Sequence, residues 1–105
     1  MNILSVENLA EQLNGDHELT LIDVREPWEY KLCHIDGSVS VPLSTVPDFI
    51  ESQDPSKHYV FICHHGIRSA RAAAYALAHD FDSVFNLTGG VAAWAARVDP
   101  DFPTY

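Results

Sequence analysis

Basic residues are scarce in this 105-residue chain: six lysines and arginines stand against fifteen aspartates and glutamates, a net charge of −9. That balance excludes a nucleic-acid partner and an anionic membrane surface as natural readings. Cysteine is nearly as sparse. Cys33 and Cys63 are the whole complement, and they lie far apart. Two such residues make no disulfide framework, so each reads as a buried or a reactive thiol. No apolar run is long enough to span a bilayer. The opening segment Met1-Asn2-Ile3-Leu4-Ser5-Val6-Glu7 has neither a basic region nor an apolar stretch behind it, so no signal peptide is expected and the default reading is a soluble cytoplasmic protein. Internal repeats and low-complexity stretches are also missing. What is present, 47% hydrophobic and 20% charged residues, suffices for one core, and one domain over residues 1–105 is expected.

Short elements follow one another along the chain. Ile3-Leu4 reads as a first strand, and Ser5 as the N-cap of a helix whose apolar positions are Val6, Leu9, Ala10 and Leu13. Asn14-Gly15 stops it. Leu19-Thr20-Leu21-Ile22 is a buried strand ending at Asp23-Val24-Arg25. Pro27 opens a short helix, where its missing N–H does no harm. Val39-Ser40-Val41 is a brief strand closed by Pro42, and a short helix is expected around Val46–Ile50. The run His58 to Ile62 is a central strand. A helix to about Asp80 follows, with Ala70, Ala73, Ala74, Leu77 and Ala78 on one face. Ser83–Leu87 is a last strand, then Thr88-Gly89-Gly90 turns into a helix through Val91, Trp94 and Ala95. The tail from Asp99 to Pro103 is expected to pack back on the surface. Alternating strands and helices imply an α/β fold, a parallel sheet covered on both faces, with function at the carboxyl ends of its strands. Cys63 and Asp23 both stand at such ends.

The chemistry concentrates in Cys63-His64-His65-Gly66-Ile67-Arg68-Ser69, between the central strand and its helix. A cysteine there faces backbone N–H groups and the positive end of a helix dipole, which suit an anionic sulfur. Thiolates in such loops attack phosphorus, arsenic or sulfur, and loop size chooses among them. Four residues separate Cys63 from Arg68; cysteine-dependent phosphatases carry five, usually after a histidine, where this chain has Ile62. The shorter loop makes a narrower cradle, suited to one persulfide sulfur. From Cys63 to Ala78 there are His64, His65, Arg68 and Arg71 and no acid, a local basic patch that suggests an anionic ligand.

The loop resembles the active-site loop of a single-domain rhodanese, a sulfurtransferase. Asp23-Val24-Arg25-Glu26 through Glu29-Tyr30, with His34-Ile35-Asp36-Gly37-Ser38 and Val41-Pro42, is similar to the family's N-terminal signature, and Leu87-Thr88-Gly89-Gly90-Val91-Ala92-Ala93-Trp94 to its C-terminal one. The resemblance covers nearly the whole chain. It implies a rhodanese-like, five-stranded parallel sheet flanked on both faces by short helices, and a persulfide mechanism. Cys63 would take the outer sulfur of a small anionic donor such as thiosulfate and pass it to cyanide, a thiol or a protein acceptor. The N–H groups from His64 to Ser69, through Gly66 and Ile67, would hold the anion, and Arg68 would attract the donor and its leaving group. A Cys-His-His-Gly loop also resembles rhodanese domains attached to adenylating enzymes, which hints at protein-to-protein delivery. A binding module without catalysis is the alternative reading; such modules commonly lack the cysteine. A phosphatase or arsenate reductase is disfavoured by the loop length and by the lack of an acid in the loop.

Other residues are expected to be structural. Adjacent histidines rarely ligate one metal well, so no metal and no cofactor are expected. Asp23 and Arg25 would hydrogen-bond neighbouring loops, or Arg25 would pair with Glu29 at helix spacing. Trp28 and Trp94 would pack, and His34 would hydrogen-bond locally. Cys33 departs from the family, which usually has glycine there. A left-handed backbone would be strained at a cysteine, and a role for Cys33 in resolving the Cys63 persulfide competes with simple filling of apolar space.

Overall fold

The computed structural model describes residues 2–105. Five strands, β1 (Asn2–Leu4), β2 (Leu19–Asp23), β3 (Val39–Ser40), β4 (His58–Ile62) and β5 (Ser83–Leu87), form one sheet in the order β1-β5-β4-β2-β3. Every pairing is parallel. The helices are α1 (Val6–Leu13), α2 (Pro27–Leu32), α3 (Val46–Glu51), α4 (Ile67–Ala78) and α5 (Gly90–Arg97), with a 3-10 turn at Leu43–Thr45.

Local chemistry explains most boundaries. The Ser5 hydroxyl accepts from the Asn8 N–H (3.1 Å) and caps α1. Pro27 stands in the first turn of α2, and Glu29 reaches back to accept from the Glu26 N–H (2.9 Å). Strand β4 is buried on both sides, and its alternation divides the core. Tyr59, Phe61 and Cys63 join Ile22, Val46, Ala72 and Ala76 on one face. Val60 and Ile62 join Leu4, Leu9, Trp94 and Phe102 on the other. Among the described residues no helix is long and apolar enough to cross a membrane.

Three details differ from the sequence expectation. Helix α4 buries Ser69, Ala72, Ala73 and Ala76, whereas Ala74 and Ala78 are exposed. Its phase is set by Ser69, which turns inward to polar partners at the strand ends. The helix stops at Ala78, and Asp80 follows with φ +68°. Cys33 has φ −165° and ψ 145°, an extended conformation open to any residue, so no strain attaches to it.

Candidate active site

Strand β4 delivers Cys63 to the carboxyl edge of the sheet, where the chain turns sharply into α4. Gly66 makes that turn with φ +98°, the left-handed region that glycine enters freely. The turn folds the loop over the sulfur, and the Gly66 N–H donates to Cys63 Sγ at 3.0 Å. Ser69 Oγ lies 3.2 Å from the same sulfur. It donates its proton to Asn86 Oδ1 at 2.5 Å, and Asn86 Nδ2 donates to the Gly66 carbonyl at 3.1 Å. Asn86 of β5 therefore ties both ends of the loop together. With the serine proton spent on Asn86, a Cys63 thiol donates to Ser69 Oγ. Cys63 is 1% exposed.

Helix α5 buttresses the loop from behind. Val91 N–H donates to the Cys63 carbonyl (2.9 Å) and Ala92 N–H to the His64 carbonyl (3.0 Å). Gly90 lies against the same carbonyls: a Cβ there would stand 2.2 Å from the Cys63 oxygen and 2.5 Å from that of His64.

The loop side chains separate. Ile67 is 74% exposed and His65 is exposed. The His64 ring is half-buried between His65 (centroids 4.2 Å apart) and Tyr105 (4.3 Å). Burial, then the neighbouring His65, holds the His64 pKa below the usual imidazole value, which favours the neutral ring. Arg71 is exposed on α4. Among the described residues no three His, Cys, Asp or Glu side chains converge as a metal site.

Arg68 turns its fork to Glu29 of α2, with Nη1 to Oε1 at 2.6 Å and Nη2 to Oε2 at 3.0 Å. The basic patch read from residues 63 to 78 is thus met by an acid from 39 positions away. Arg25 pairs with Asp23 rather than with Glu29 (Nη2 to Oδ2 2.7 Å), and both are buried. Its remaining donors go to the Cys33 carbonyl (2.6 Å), Cys33 Sγ (3.8 Å) and the Tyr105 hydroxyl (2.9 Å). Tyr105 in turn donates to Glu29 Oε2 at 2.5 Å. Asp23, Arg25, Tyr105, Glu29 and Arg68 form one unbroken polar chain beside the loop.

The charges respond accordingly. The Arg68 hydrogen bonds outweigh burial and hold the Glu29 carboxyl down to about 2. Burial and the bond to Glu29 push the Tyr105 phenol up to about 12. Burial works against the Arg25 charge, but Asp23 and Tyr105 outweigh it and its pKa lies above the ordinary value.

Several expected residues lie elsewhere. Cys33 belongs to the core cluster that does not contain Cys63. Trp94 packs in that cluster, whereas Trp28 is 61% exposed with its ring edge-on to Tyr105. His34 bonds the Tyr30 carbonyl and stacks on the Tyr30 ring. Asn86 and Tyr105 escape the sequence reading, and Glu29 enters it only within the family signature and as a partner for Arg25, not for Arg68. A signal existed for Asn86 alone, a polar residue in step with buried Val84 on an apolar strand.

A buried cysteine at the end of a parallel strand, enclosed by a short loop and backed by a helix N-terminus, defines an α/β protein with a cysteine-centred loop at the carboxyl edge of its sheet. Residues 5–97 match the rhodanese-like domain family, and the chain belongs to that family. It is 37% identical over 97 residues to the putative sulfurtransferase YtwF of Bacillus subtilis, covering 92% of this chain and 93% of that protein. To the thiosulfate sulfurtransferase GlpE of Pseudomonas paraeruginosa it is 37% identical over 84 residues, covering 80% of this chain and 76% of the relative. Some other curated relatives are longer proteins, of which the chain spans 31% or 26%. Among solved structures, the rhodanese-like domain protein of Staphylococcus aureus superposes with a TM-score of 0.85 at 26% identity, over 100% of this chain and 99% of that one.

Proposed function

We propose that the protein is a sulfurtransferase that carries sulfane sulfur as a Cys63 persulfide, of the thiosulfate:cyanide type. The observation that carries this reading is the enclosure of Cys63 Sγ by the short loop, with the Gly66 N–H donating to it at 3.0 Å. In the first step the Cys63 thiolate attacks the outer sulfur of thiosulfate or of a persulfide donor. A new S–S bond forms, the donor's S–S bond breaks, and sulfite or a thiolate leaves with the electron pair. In the second step cyanide, a thiol or a protein acceptor attacks the outer sulfur, and Cys63 returns as thiolate. The backbone from His64 to Ser69 stabilises the sulfur anion in both steps, and the α5 N–H groups hold that backbone still. Ser69 and Asn86 set the loop's width. Arg68 contributes positive charge at the rim, shared with Glu29.

The test is to incubate the purified protein with thiosulfate and weigh it intact. A gain of one sulfur atom is expected, absent in Cys63→Ser and reversed by cyanide with release of thiocyanate. Failure to gain sulfur from thiosulfate and from organic persulfides alike would refute the assignment.

A further inference from the structure

The donor's identity turns on which positive charges are free to meet it. Arg25 is saturated by Asp23, the Cys33 carbonyl and sulfur, and Tyr105. Both terminal nitrogens of Arg68 are engaged by Glu29. Glu29 is itself fixed on every side, by the Glu26 N–H and Arg68 on its first oxygen and by Arg68 and Tyr105 on its second. The chain as a whole carries a charge of −9. A dianion such as thiosulfate approaches against that charge and finds an Arg68 fork whose charge is already matched by Glu29.

The surroundings are apolar where a guanidinium is not on offer. Trp28, Ile67 and the Tyr105 ring stand exposed beside the loop. A cleft of 210 Å³ runs along the loop's flank, lined by His64, His65, Val91, Ala92, Pro103, Thr104 and Tyr105. It suits a small organic group better than an oxyanion.

We infer that Glu29 and Tyr105 are specificity-determining residues: by holding the Arg68 fork they bias Cys63 toward organic persulfides, R–S–SH, over oxyanionic donors. The inference rests on the sulfurtransferase reading and refines its first step. The Cys63 thiolate attacks the terminal sulfur of R–S–SH, the Cys63–sulfur bond forms as the donor's S–S bond breaks, and RS⁻ departs with the electron pair. No oxidant or reductant is needed. Glu29 and Tyr105 act through Arg68 and touch neither sulfur.

The experiment measures single-turnover loading of Cys63 by intact mass, with the dianion thiosulfate and with 2-hydroxyethyl persulfide, which carries at most one negative charge, in wild type, Glu29→Gln and Tyr105→Phe. Glutamine keeps the side chain's shape but removes the charge that holds the fork. The thiosulfate-to-persulfide rate ratio is expected to rise about fivefold or more in Glu29→Gln, and in the same direction in Tyr105→Phe. A smaller rise in Glu29→Gln overturns the inference. Salt supplies a reading that needs no variant and stands even if Glu29→Gln does not fold. Wild-type loading by thiosulfate stays level or quickens as salt screens the net negative charge; a fall with salt would mean that Arg68 already meets the dianion, and overturns the inference. Loading by neither donor in any protein refutes the sulfurtransferase reading itself, an outcome distinct from equal loading by both.

Discussion

Replacing Gly90 by alanine tests whether the loop around Cys63 is held from behind by α5. The added Cβ would fall 2.2 Å from the Cys63 carbonyl oxygen and 2.5 Å from the His64 oxygen, where a relaxed carbon–oxygen contact needs about 3.3 Å. Backbone, not a flexible side-chain tip, is what it meets, so loop and helix must part by about 1 Å. That motion breaks the bonds from Val91 N–H and Ala92 N–H to those two carbonyls, each worth about 1 kcal/mol. Alanine at φ +59° costs about 1 kcal/mol more, for a total of about 3 kcal/mol. Gly37→Ala is the matched control. It has φ +86° and no atom within 4 Å of the added carbon, so only the backbone term of about 1 kcal/mol applies. Urea denaturation of both variants measures the difference, about 2 kcal/mol in favour of Gly37→Ala. Cys63 loading follows in parallel: a displacement of 1 Å at the reacting sulfur slows it by about a hundredfold in Gly90→Ala and leaves Gly37→Ala near wild type. Equal destabilisation of the two variants, or full loading in Gly90→Ala, would refute the buttress.

Three further expectations concern the polar groups. Ser69→Ala strands the Asn86 Oδ1 acceptor in the interior and should cost about 1–3 kcal/mol by chemical denaturation, with slower Cys63 loading because the loop loses its tie to β5. Glu29 titrates in the folded state at about 2, below its ordinary value of 4.5; its contribution is complete above about pH 5, disappears as pH falls toward 2, and amounts to about 2–3 kcal/mol after allowance for the part-exposed Arg68 partner. Stability measured across that range should therefore drop less steeply in Glu29→Gln, and an unchanged slope would contradict the assignment. Cys33→Gly should destabilise by about 1 kcal/mol or more, through unfolded-state entropy and through loss of a buried side chain of the second core cluster, since the native extended backbone offers no strain for glycine to relieve; a gain in stability in a thermal melt would count against this.

The elements that declare themselves in the sequence are those whose signal is local. Val60 and Ile62 alternate with Tyr59 and Phe61 because β4 is buried on both faces, and the strand-loop-helix around Cys63 can be read from that run and the alanines behind it. The phase of α4 cannot. Alanines are too alike to mark a face, and Ser69 decides it by turning inward to Asn86, 17 residues away. The ion pairs show the same limit. Arg25 and Glu29 have helix spacing, yet each finds another partner: Arg25 bends back on Asp23, two residues away on the strand end, and Glu29 meets Arg68 from across the sheet edge. Tyr105 is further still from its partners, 76 residues from Glu29 and 80 from Arg25. Contacts of that separation depend on where the tail lies after folding, and Phe102, buried in the second core cluster, anchors it.

The near-complete burial of Cys63 has a consequence for how the protein survives between turnovers. A cysteine residue that is 1% exposed offers little access to peroxides and other bulk oxidants, which begin the sulfenic-to-sulfonic sequence at accessible thiolates. Under the proposed function the loaded state differs by one sulfur, which lengthens the side chain by about 2 Å, the length of a disulfide bond. The turn that closes over the bare cysteine through the Gly66 N–H would have to take in that extra atom, so the fit of the loop, rather than the reactivity of the cysteine alone, would set how readily the carrier fills.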